Sequence, residues 1–206
     1  MPERLEKWTN QDVKRHFDDL LAAISSQRFL KMNGLGNEVP FFIFPYPPTN
    51  ATDIETMRKT LVRKLAARDV RTLEVNLYDL GISLLKSRGI WGDIIASEPT
   101  VSKDELKELL QGVLDPETHL VPAISHILSD AKYDVLFLTG IGEVFPYIRS
   151  HSVLNNLQST AKEKPTVMFF PGSYTHNLAT GASLDLFGFA HNDKYYRAFN
   201  ILDYRA

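Results

Sequence analysis

The chain reads as an α/β protein. It predicts a three-layer, mostly parallel sheet (Rossmann-like or degenerate P-loop-like) flanked by helices, with an N-terminal helix and an aromatic C-terminal tail. Short, continuously apolar runs at Phe41 to Phe44, Asp134 to Leu138 and Thr166 to Phe170 have the composition of strands covered on both faces. The segments between them carry apolar residues at helical spacing, and parallel strands need such long crossovers. With 206 residues, 44% of them hydrophobic, the chain can bury a sizeable core, and residues 1–206 read as a single α/β domain.

The elements follow in order. Val13, Phe17, Leu20, Leu21 and Ile24 recur on one face of an amphipathic helix whose other face carries Asp12, Lys14, Arg15 and Asp19. Gln27 to Asn37 reads as a connecting turn ending in Gly34 and Gly36, and leads into the first strand. Thr52-Asp53-Ile54-Glu55 has the form of a capping box opening a helix with Ile54, Met57, Leu61 and Leu65 buried. Thr72 to Leu77 alternates, Leu73, Val75 and Leu77 against Glu74 and Asn76, as a half-exposed outer strand does. Leu80, Leu84 and Leu85 support a helix ended by Gly89, after which Trp91 to Ile95 covers the sheet.

Ser102 and Glu105 form a second capping box ahead of Leu106, Leu109, Leu110 and Val113, and Asp115-Pro116 restarts a helix with Leu120, Ile124, Ile127 and Leu128 on its apolar face. Val144 to Lys162 is helical in pattern, with a break or late start at Pro146. The tail from Leu184 to Ala206 is too aromatic for disorder and predicts a strand and a short helix.

Composition excludes several functions. The formal charge is −2, from 23 basic and 25 acidic residues, with no block of Lys and Arg to follow a phosphate backbone, so direct, tight nucleic-acid binding is not expected. The absence of cysteine rules out disulfides and thiolate metal sites. No apolar run approaches the roughly 18 residues of a membrane span, and a cytoplasmic location is expected. None of the six histidines pairs at the spacing of a helical zinc site, so no metal is expected.

In a parallel sheet, ligands bind where loops leave the carboxyl ends of the strands. Three segments take that place: Pro45 to Asn50, Thr139 to Glu143, and Pro171 to Asn177. The first holds Pro45, Tyr46, Pro47 and Pro48 where a nucleotide-binding domain would carry a glycine-rich, lysine-bearing loop. Gly140 and Gly142, after Thr139, could bring backbone donors to an anion near a helix N-terminus, but Glu143 opposes this and a tight turn is the plainer reading. Gly172, Ser173 and His176 complete the candidate ligand loops; Ser173 and His176 lack a nucleophile elbow and an identifiable orienting carboxylate. As partner-binding candidates the chain offers Tyr46 and, in its tail, Tyr195, Tyr196, Arg197 and Tyr204, a mix of rings and charge found in interfaces.

The stretch Gly34-Leu-Gly-Asn-Glu-Val-Pro-Phe-Phe-Ile-Phe44 with its Tyr46-Pro47-Pro48 exit, the run from Val135 to Pro146, and Val167-Met-Phe-Phe-Pro-Gly172 together resemble the BrxB family of bacteriophage-exclusion (BREX) defence systems. The similarity extends over most of the chain. It implies a small, cytoplasmic, non-enzymatic adaptor or scaffold, encoded beside an adenine-specific DNA methyltransferase, a large ATPase and PglZ, an alkaline-phosphatase-like protein. A bridging role between the PglZ-type protein and the ATPase is what the resemblance suggests, with no cofactor and no catalytic residues to carry over. Pro45 departs from the acidic residue expected there in some relatives. A small-molecule or nucleotide sensor using the strand-end loops is the alternative, and a homo-oligomer stays open.

Overall fold

Alternate residues of the apolar runs divide between two cores, one on each side of the sheet. The computed structural model describes residues 5–32, 40–157, 159–177, 181–188, 190–192 and 198–204. The chain runs through α1 (Asn10–Ile24), α2 (Gln27–Leu30), β1 (Phe41–Tyr46), a 3-10 turn (Pro48–Asn50), α3 (Ala51–Ala66), β2 (Thr72–Asn76), α4 (Leu77–Ser87), α5 (Trp91–Ser97) and α6 (Lys103–Val113). A π-helical turn (Pro116–Leu120), α7 (Val121–Asp130), β3 (Val135–Thr139), α8 (Ser150–Leu157), β4 (Thr166–Asn177), β5 (Gly181–Leu186), β6 (Ala190–Asn192), β7 (Phe199–Asn200) and a final 3-10 turn (Ile201–Asp203) follow.

The strand order β2-β3-β4-β1-β7 is parallel throughout. Phe42, Phe44, Phe137, Val167 and Phe169 face the layer of α1, α2 and α3, where Leu20, Ile24, Phe29, Leu61 and Leu65 meet them. Phe41, Ile43, Leu136, Leu138, Met168 and Phe170 face the opposite layer, built from α4 to α8. Burial on both faces explains why these strands are continuously apolar. β2 is the outer strand, as its alternation predicts, and its Glu74 is paired with Arg58 of α3. Pro45 is tolerated in β1 because β7 pairs only with Phe42 and Ile43, so its missing N–H falls beyond that ladder.

Several expectations need correction. The helix after β1 starts before the supposed box at Thr52: Pro48–Asn50 winds a 3-10 turn directly into α3, and Glu55 turns forward to Arg58 and Lys59 instead of back to a cap. Gln27 to Leu30 is helical, its N-terminus capped by Ser26, while Gly34 and Gly36 lie outside the described residues. Pro171 to Asn177 is no loop. β4 runs straight through it, and Gly172 to Asn177 pairs antiparallel with β5. Gly172 makes the approach possible, since a Cβ there would stand 2.1 Å from the Asp185 carbonyl oxygen.

At the opposite edge, the entry to β2 and β3 is tied by one ion pair. Arg71 donates through its Nε and Nη2 to the Asp134 carboxylate at 2.9 and 2.8 Å, and its backbone N–H adds a third bond at 2.9 Å. The Arg71 hydrogen bonds hold the Asp134 carboxyl at about 2. Because this value lies below that of an unfolded aspartate, the pair stabilises the fold above pH about 4 and that contribution disappears as pH falls through about 2. Asp134→Asn is expected to cost about 1 kcal/mol at neutral pH, allowing for solvent screening, and to lower the melting temperature by about 2–4 °C. Thermal melts of both proteins should converge as the pH approaches 2.

Candidate functional site

All five parallel strands end at one edge, and their carboxyl ends bring the predicted segments together. Tyr46 lies beside Pro171 in the β1–β4 register, and Asn76 beside Thr139 in the β2–β3 register. Thr139 is buried, and Gly140 follows it at φ +76° with its α-carbon pressed on Asn76: a Cβ there would lie 2.3 Å from the Asn76 Oδ1. That same oxygen accepts from the N–H groups of Tyr78 and Asp79 and caps α4. Gly142 packs on the ring of Phe187 and on Pro171, joining the turn after β3 to the β4–β5 hairpin. No helix starts at Gly140 or Gly142. The next one, α8, begins at Ser150, so the expected anion cradle lacks the helix N-terminus that would strengthen it.

The place after β1 is filled by protein. Asn50 is fully buried; its Oδ1 accepts from the Trp8 N–H at 2.8 Å, and its Nδ2 donates to the Trp8 carbonyl at 3.0 Å and to Asp53 Oδ2 at 3.1 Å. The carboxamide thus imitates a backbone bridge and holds the N-terminal segment across the start of α3, where a phosphate would otherwise meet the helix dipole. The Trp8 ring stacks on His16 at 4.2 Å and leans on Phe44 at 5.9 Å. Burial lowers the His16 imidazole from its ordinary value, with Arg15 adding to the effect and Asp19 and Asp12 opposing it, which favours a neutral ring in this apolar stack. Neither Asn50 nor Trp8 stands out in the sequence; the available signal was an asparagine closing a Pro-Pro-Thr-Asn run immediately before a helix.

Beside this plug lies a cleft of about 460 Å³ lined by Lys7, Arg15, Tyr46, Ser173 and Tyr174, among others. Burial, reinforced by the Glu143 and Glu55 carboxylates and opposed by Arg58, pushes the Tyr46 phenol up to about 12. It is therefore neutral and a poor proton acceptor near pH 7. Tyr174 donates to the Ala198 carbonyl at 2.5 Å and ties β4 to the segment before β7. His176 stands on β4 opposite Ala182, on a strand instead of a loop. Tyr204 sets its ring edge-on against Phe29 and Phe42, at 5.5 and 5.6 Å, under the Arg28 guanidinium. Tyr195, Tyr196 and Arg197 lie outside the described residues. Among the described residues no group of three or more His, Asp or Glu is disposed to hold a metal ion.

Asn50→Ala leaves the Trp8 amide and carbonyl without their partners. A loss of about 2–4 kcal/mol in denaturant unfolding is expected. Asn50→Asp keeps the acceptor for the Trp8 N–H but sets a buried carboxylate against the Trp8 carbonyl and Asp53 Oδ2, so it should destabilise at least as much at neutral pH.

A family model described as BREX protein BrxB matches residues 73–201. The chain is similar to a BREX protein BrxB of Bacillus cereus (strain H3081.97), 32% identical over 193 residues that cover 93% of this chain and 98% of the relative. It is likewise similar to a BREX protein BrxB of Escherichia coli O9:H4 (strain HS), 32% identical over 190 residues, 92% of each chain. No solved structure matches. With the family model spanning more than half of the chain and two relatives aligned along almost all of it, the chain belongs to the BrxB family of bacteriophage-exclusion proteins.

Proposed function

We propose that this chain is a non-enzymatic adaptor of a BREX anti-phage complex, holding the PglZ-type alkaline-phosphatase-like protein and the large ATPase together in the cytoplasm. Membership of the BrxB family gives it a part in phage defence. The observation that carries the adaptor reading is the plug at the end of β1: the position at which related sheets grip a phosphate holds Asn50 and Trp8 bonded to each other. A sheet without that grip keeps its rigidity and offers its surfaces. Large apolar side chains exposed at Tyr78, Ile95 and Leu109 suit such a role.

Size-exclusion chromatography with light scattering on the chain, alone and mixed with the PglZ-type protein of its operon, tests this. A stable heteromer is expected; separate elution from both that protein and the ATPase would refute the adaptor reading.

The cleft beside Tyr46 favours a second reading, a small-molecule sensor, because it sits where ligands of parallel sheets bind and carries both Lys7 and Arg15. Calorimetric titration with the common nucleotides separates the two: the adaptor predicts no heat of binding, the sensor a saturable one.

A further inference from the structure

An apolar groove of about 260 Å³ opens between α4, α5, α6 and the turn over residues 141–148. It is lined by Ile82, Trp91, Ile95, Leu106 and Leu110, with Tyr78 at its mouth. Tyr78 and Ile95 are 46% and 48% exposed. α6 repeats Leu106, Leu109, Leu110 and Val113 at helical spacing, yet none of its residues is buried, and Leu109 is 43% exposed. A helix so strongly two-faced normally buries its stripe. Here the stripe is only half covered.

The charges around the groove indicate its occupant. Two charged residues line it, Glu98 and Glu143, and both are carboxylates; the lysines of α6 do not line it. Of the cations next to the lining in sequence, Lys107 and Arg149 do not line the groove, Lys86 lies over the Trp91 ring at its margin, and Arg88 donates to the Val113 carbonyl. A second copy docking through the same face would again bring only carboxylates as groove-lining charges, so neither Glu98 nor Glu143 would meet an opposite charge from the facing groove. We infer that the groove receives an amphipathic helix from a partner protein, with apolar anchors at i, i+3, i+4 and i+7 and Lys or Arg beside them to meet Glu98 and Glu143. The inference rests on the adaptor reading and assigns it a surface.

The test uses two labelled peptides of about 15 residues, with leucines at those spacings and either lysine or glutamate elsewhere. Fluorescence anisotropy of the whole chain should show saturable binding of the lysine peptide, weakened by salt, and at least about tenfold weaker binding of the glutamate peptide. Ile95→Asp should weaken the lysine peptide by about tenfold. The double variant Glu98→Lys with Glu143→Lys should reverse the preference. All three positions are exposed, so melting temperatures should match the parent's and separate lost binding from lost folding. No saturable binding, or an unchanged preference in the charge-reversed variant, would overturn the inference.

The two readings fail separately. A heteromer with the operon proteins that forms equally well with Ile95→Asp removes the groove and leaves the adaptor; lysine-peptide binding by a chain that forms no heteromer supports the groove and removes the adaptor.

Discussion

The exchange of hydrogen bonds between the Asn50 carboxamide and the Trp8 backbone fixes what the end of β1 can do. Three elements meet there: the segment before α1, the exit of β1, and the first turn of α3. A buried amide is costly unless satisfied, and this one is satisfied on both its oxygen and its nitrogen. In satisfying it, the chain ties its own Trp8 backbone to the residue at the helix N-terminus, a position that a nucleotide enzyme of similar architecture keeps free. The Trp8, His16 and Phe44 rings seal the plug with apolar surface, and the lowered basicity of His16 follows from that dry contact.

Away from the plug, the sheet sorts its side chains so that two independent cores form. One face buries phenylalanines against α1, α2 and α3. The other is broader and less completely covered, because α5 and α6 lie at its margin and contribute few fully buried residues. The groove exists for this reason. The same topology that makes the central strands rigid leaves a half-dressed helical layer on one side, and rigid support under an exposed apolar surface is what a docking protein requires.

Much of this was legible in the sequence, and the division has a physical cause. The central strands at Phe41, Val135 and Thr166, the outer position of β2 and the box at Ser102 and Glu105 are local patterns, each readable within a few residues. Thr52 and Glu55 misled because a capping pattern competes with the helix-starting tendency of Pro48, and the 3-10 turn won. Thr9 and Asp12 form a box that the apolar spacing of α1 did not reveal. The strand over 171–177 was hidden by its composition, since Pro171 and Gly172 look like a turn until β5 is laid beside them. The plug joins residues 8 and 50, and the groove joins α4 to the turn after β3. Neither juxtaposition is encoded in any short window; both follow only from strand order.

The central claim is that the chain works through its surfaces while the end of β1 is closed by its own residues. Hydrogen–deuterium exchange, followed by mass spectrometry on the chain alone, with magnesium and ATP, and in the assembly purified from its operon, addresses it most directly. The account predicts that the amides of residues 45–53 are unchanged by nucleotide and that assembly slows exchange across residues 77–114. Slowed exchange at residues 45–53 on addition of nucleotide would contradict it.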